Sequence, residues 1–164
     1  MFLIKGSGMS DNGRIKDGDA SLRKVASGVL TARFDAMMAH AAGTREGADP
    51  EALHDMRVAS RRLRAALDAF ASCYEGRAFS RVLHETKSLT RTLGTVRDDD
   101  VLLDTMRAYT EGIPADERPA LTGFIAHLSE ARDAHHAALV RHLDALDADG
   151  YTGHFHNAVA RPEK

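Results

Sequence analysis

Residues 54–64 read HDMRVASRRLR, and the phase of two residue sets running through them decides how the chain folds. At about 100° per residue, Leu53, Met56, Ser60, Leu63, Leu67 and Phe70 fall on one stripe, the seam of a helix packed in a bundle. His54, Arg57, Arg61 and Arg64 keep the same helical spacing and lie about 110° round from that seam, so they flank the packing face. That phase suits the wall of a groove. Three guanidiniums and an imidazole spread over roughly 15 Å of helix repel one another unless anions lie between them. Between His54 and Phe70 the only carboxylates are Asp55 and Asp68, and Asp68 stands at the end of the stripe. The row therefore asks for a polyanion.

A second stretch echoes the first. His84, Lys87 and Arg91 repeat the offsets of His54, Arg57 and Arg61, so that HDMRVASR aligns with HETKSLTR. They lie about 120° from a seam of their own at Phe79, Val82, Leu83, Thr86, Leu89, Thr90 and Leu93. Two helices of one bundle, each with a basic row beside its seam, would present both rows to a single groove.

With 164 residues the chain has room for one domain with a real core. It is 43% hydrophobic and 28% charged, rich in Ala, Leu and Arg, and holds no Trp, which favours helix over sheet. The net charge of −2 hides an asymmetry: His54 to Arg97 holds nine Lys/Arg against four Asp/Glu, whereas Asp98 to Lys164 holds six against thirteen. An anion site belongs in the basic middle. The single Cys73 cannot form an internal disulfide or a thiolate zinc site, which fits a reducing, cytoplasmic setting. The opening MFLIKGSGMS is too short an apolar run for a signal peptide or a membrane span.

Taken in order, residues 1–18 are expected to form a flexible leader, and the string Lys5, Gly6, Ser7, Gly8 before Met9 is compatible with a vector scar. Residues 19–160 form the bundle and 161–164 a polar tail. Leu22, Val25, Ala26, Val29, Leu30, Phe34, Met37, Met38 and Ala41 predict a first helix stopped by Gly43. Asp49, Pro50 and Glu51 supply an N-cap, a first-turn proline and a first-turn acid for the second, which runs to about Tyr74 before Glu75 and Gly76. A third spans about Arg77 to Leu93, with Gly94 as a stop or kink, and Asp98, Asp99 and Asp100 suit the start of a further run that ends by Tyr109. Two prolines mark a loop at Gly112 to Pro119. A long helix then carries Leu121, Phe124, Ile125, Leu128, Leu139, Leu143 and Leu146 to Gly150, and Tyr151 and Phe155 are available to dock. The fold class is all-α, an antiparallel four-helix bundle of four helices, or five if Gly94 is a true turn.

The string LHDMRVASRRLRAALDAF, followed by LTRTLGTVRDDDVLL, resembles the first repeat of CHAD domains, histidine-containing α-helical domains that bind inorganic polyphosphate. His54, Arg57, Val58, Arg61, Arg62, Leu63, Arg64, Leu93, Gly94, Arg97, Asp98, Asp100 and Val101 match the family pattern, and the similarity extends over about Ser21 to Ala160. The resemblance implies a helical module, not an enzyme, that binds a long anionic chain in a basic cleft and needs no cofactor. His54, Arg57, Arg61, Arg64, Lys87, Arg91 and Arg97 are the expected polyphosphate-binding residues, with polyphosphate granules a candidate destination. Family members usually carry two such repeats facing each other and this chain holds one, so pairing of two copies about a two-fold axis would rebuild the cleft.

Blander readings compete with these. A lone His54 with no second ligand at i+3 or i+4 is a groove or core residue, so no metal is expected. His135 and His142 fall in the apolar register of the long helix and are expected in the core, while His154 and His156 are expected at the surface. The acids Asp98, Asp99, Asp100 and Asp104 read as helix capping with salt bridging to Arg97 rather than as a magnesium site. His54 with Arg57, or His84 with Lys87, also has the spacing of a histidine phosphotransfer domain, although Val58 and the bulky Arg61 to Arg64 run would crowd a docking partner. A helical protein-interaction module with no anion ligand is the other alternative. Nucleic acid is an improbable ligand, because Phe70 and Phe79 both stand in core register and leave no stacking platform.

Overall fold

A computed structural model describes the backbone of residues 12–160, and side chains from residue 20 onward. Every regular element among the described residues is helical: α1 (Asn12–Met38), α2 (Ala41–Glu46), α3 (Pro50–Ala69), α4 (Arg77–Gly112), α5 (Arg118–Ala148) and α6 (Tyr151–Ala160), with a 3₁₀ turn at Ala71–Cys73. Helix α1 begins at Asn12, inside the stretch expected to be a leader. The suggested scar at Lys5 to Met9 and the tail at 161–164 lie outside the described residues. The four long helices pack antiparallel as a bundle in the order α1, α3, α4, α5, and α6 closes one end against α1, α4 and α5.

The core follows the predicted seams. Leu53, Met56, Ser60, Leu63 and Leu67 of α3 are buried, as are Phe79, Val82, Thr86, Leu89, Thr90 and Leu93 of α4. The polar members of these seams are satisfied locally. Ser60 Oγ donates to the Arg57 carbonyl at 2.8 Å, and Thr86 Oγ1 to that of Val82 at 2.7 Å. Helix α6 caps the core with aromatic rings: Phe155 stacks on Phe34 with centroids 4.0 Å apart, and the buried Tyr151 hydroxyl lies 2.7 Å from Thr86 Oγ1. Burial pushes the Tyr151 phenol up, partly offset by the Thr86 hydrogen bond.

Four expectations need correction. Gly94 does not stop a helix: α4 runs on through it, because a glycine costs a long packed helix only about 1 kcal/mol, which seam burial on both sides outweighs. Gly43 lies inside α2, where an added Cβ would stand 2.9 Å from Ala52 Cβ, so it serves the close approach of α2 to α3. The C-cap is Gly47, at φ +70°, with the His136 ring packed over it. Ala26, Leu30, Phe34 and Met37 are buried as predicted, but Leu22, Val25 and Val29 are exposed, because α1 packs on α3, α6 and the 3₁₀ turn and nothing among the described residues covers its other side. In α5 only Leu139, Leu143 and Leu146 are buried, since its first half pairs with the end of α4 as a two-helix arm and leaves Phe124 exposed.

Candidate functional site

The start of α3 is fixed by its sequence. Asp49 Oδ1 accepts from the Glu51 amide at 2.9 Å, and Pro50 occupies the first turn. With the Leu53 to Leu67 seam buried, Arg57, Arg61 and Arg64 emerge along one flank. On α4 the same logic brings Lys87 and Arg91 out beside the Val82 to Leu93 seam.

Two ion pairs show that these flanks meet on one face. Lys87 Nζ lies 3.0 Å from Asp68 Oδ1, and Arg57 Nη2 lies 3.9 Å from Asp98 Oδ1. The antiparallel register that follows sets Arg64 level with Arg91 and Arg61 level with Gly94. Arg64 Nε also approaches Asp68, at 3.7 Å. Arg61 and Arg91 are exposed and enter no ion pair among the described residues. Five predicted cations, Arg57, Arg61, Arg64, Lys87 and Arg91, thus share the face along which α3 and α4 meet. Arg57, Lys87 and Arg64 lie within ion-pair reach of a carboxylate.

The remaining predicted residues stand at its margins. His54 is half-buried, with its Nδ1 enclosed and without a hydrogen-bond partner among the described residues. Arg97 is half-buried and turns about 80° from Lys87 toward the packed face of α4. The acids following it do not cap a helix or pair with Arg97, because α4 is already five turns long when it reaches them. Asp98 goes to Arg57, Asp99 Oδ2 accepts from His135 Nδ1 at 2.6 Å, Asp100 Oδ1 accepts from Arg132 Nε at 2.8 Å, and Asp104 pairs with Arg107. His135 is therefore a surface residue on the α4–α5 seam and not a core residue. His142 is half-buried against Thr92 Oγ1, at 3.1 Å from its Nδ1, and desolvation holds its imidazole below the ordinary value. His154 and His156, expected at the surface, are both half-buried; the Nδ1 of His154 is enclosed and His156 lies 3.5 Å from Asp35.

Reading the sequence for cations alone missed Asp68 and Asp98 as members of the site. The signal was present: the 30-residue offset that relates Arg57 to Lys87 and Arg61 to Arg91 also relates Asp68 to Asp98. Among the described residues no group of three or more His, Cys, Asp or Glu converges to hold a metal, and no helix is long and apolar enough to cross a membrane.

The family model described as CHAD domain matches residues 28–162, most of the chain. This chain belongs to the CHAD family. A comparison with curated proteins returned no match. The match spans α3 and α4 whole and includes every cation of the groove, so the basic face is part of the CHAD domain itself.

Proposed function

We propose that this CHAD domain binds inorganic polyphosphate along the α3–α4 groove and performs no catalysis on it. The carrying observation is that the cross-helix ion pairs set two basic rows on one open face, where guanidiniums can donate charge-assisted hydrogen bonds to successive phosphoryl oxygens. Arg61, Arg64 and Arg91 make the central contacts and Arg57 and Lys87 the outer ones. His54 and Arg97 border the site. Family membership supports the same ligand. A base-stacking nucleic acid fits less well, because Phe79 is buried against Tyr74 and Phe70 is half-buried against the core.

The same reading includes a homodimer in which a second copy supplies the facing wall of the cleft, and a cytoplasmic protein recruited to polyphosphate granules. The test is competition: labelled long-chain polyphosphate bound at two salt concentrations and challenged with single-stranded RNA and with orthophosphate. Salt-sensitive binding displaced only by polyphosphate is the expected result, and absence of binding at low salt overturns it. Light scattering decides the dimer, which a monomeric mass removes.

A further inference from the structure

The echo between α3 and α4 is longer than its cations. At a constant offset of 30 residues, His54 matches His84, Arg57 matches Lys87, Arg61 matches Arg91, Arg64 matches Gly94 and Asp68 matches Asp98. Because the two helices run antiparallel, this repeat is a local two-fold relation. It exchanges the Lys87–Asp68 pair with the Arg57–Asp98 pair. Each helix thus ends its basic row with a carboxylate, and each carboxylate reaches across to the first cation of the other row. Gly94 breaks the relation at the position of Arg64, whose Nε also lies 3.7 Å from Asp68, and a Cβ built at Gly94 would meet nothing within 4 Å, so the shared face is uncrowded at its centre and bridged at its two ends.

We propose that Asp68 and Asp98 are built-in competitors for the ligand, two latches that a bound anionic chain must displace to take the whole groove. The inference rests on the polyphosphate reading above and adds its regulation. Both carboxylates are solvent-exposed, the Asp98 side chain 77% and the Asp68 side chain 46% accessible, against half-buried cations, so each is a weak pair that a polyvalent anion can replace. A chain that first engages Arg61 and Arg91, which have no ion pair among the described residues, brings its further phosphates to the latched cations at high effective concentration. Phosphate then exchanges for carboxylate at Lys87 and Arg57, roughly 16 Å apart along the helices. Because these two cations already carry a counter-charge, as Arg64 does from Asp68, their engagement releases few solution ions, and the salt dependence of binding reports mainly Arg61 and Arg91.

The test uses the full chain and a polyphosphate long enough to span the groove. Asp68→Asn and Asp98→Asn should each tighten binding about threefold, and the double variant about tenfold, if each latch is an ordinary exposed ion pair. The double variant should also steepen the slope of log affinity against log salt by about 0.7 for each cation it frees. Asp55→Asn with Asp104→Asn changes net charge by the same amount away from the latches and serves as the comparison; it should leave affinity and slope within about twofold and a few tenths. Equal behaviour of the two double variants overturns the latch. Failure of the unsubstituted chain to bind the polyphosphate at low salt instead overturns the function on which the latch rests. All four carboxylates are exposed, and unchanged helicity by circular dichroism confirms that the comparison is between folded proteins.

Discussion

Replacing Arg61 and Arg91 together by Ala isolates the electrostatic centre of the groove. Both side chains are exposed, neither belongs to a seam and neither holds an ion pair among the described residues, so folding stability should stay within about 0.5 kcal/mol of the parent. Each removed contact to a charged oxygen is worth about 1 kcal/mol at an exposed site, so polyphosphate affinity at low salt should drop roughly 30-fold. The salt slope is the sharper measurement. By analogy with single-stranded nucleic acids, each neutralised phosphate contributes about 0.7 to the slope of log affinity against log salt, so losing two cations makes it shallower by about 1.4. Between 50 and 200 mM salt the parent should therefore lose about sevenfold more affinity than the variant, a ratio that holds however many outer cations are latched. Fluorescence anisotropy with labelled polyphosphate at four salt concentrations reads both quantities. An unchanged slope would refute the placement of the site, and an unfolded variant would refute the assignment of these residues to the outer face.

Three further outcomes test the frame that holds the groove. Gly94→Ala should raise stability by about 0.5–1 kcal/mol in urea unfolding, since Gly94 lies within continuous α4 and the added methyl meets nothing within 4 Å; a loss would show that the groove floor is occupied. Arg132→Ala should cost about 3 kcal/mol in the same assay, because it strands the Asp100 carboxylate, whose side chain is only 10% exposed. The His142 imidazole is held below its ordinary value near 6.5, so the unfolded chain takes up its proton first as pH falls. The His142 contribution to stability is full above about pH 6.5 and declines below it. His142→Gln should flatten the fall in melting temperature between pH 7.5 and 5.5, and an identical fall in parent and variant would assign it to other groups.

Much of this fold is written in local signals. The Asp49, Pro50, Glu51 start of α3 and the seams of α3 and α4 were legible because capping and amphipathic phase act within one or two turns. Gly94 was misread for the opposite reason: whether a glycine ends a helix depends on what packs on both sides of it, and here Leu93 and Val96 are fully buried. His135 and the exposed stripe of α1 failed in the same way, since periodicity names a face but not the partner that covers it. Of the site, the cations were legible by phase, but their pairing was not. Arg57 with Asp98 and Lys87 with Asp68 are contacts between helices, fixed by an antiparallel register that no single-helix pattern states.

The continuity of α4 ties that register to function. One face of the helix carries Lys87, Arg91, Gly94 and Asp98, and the α5-facing side carries Thr92, Asp99 and Asp100, which join His142, His135 and Arg132. A break at Gly94 would let the Lys87 half and the Asp98 half of the wall move apart, and the two ion pairs to α3 could not hold one register. An unbroken helix braced from behind by α5 keeps both ends of the groove at fixed spacing. Rigidity there lowers the ordering cost of binding a flexible anionic chain, whose own entropy is the larger loss. The Arg132–Asp100 pair is therefore expected to matter to the ligand although it lies off the groove face.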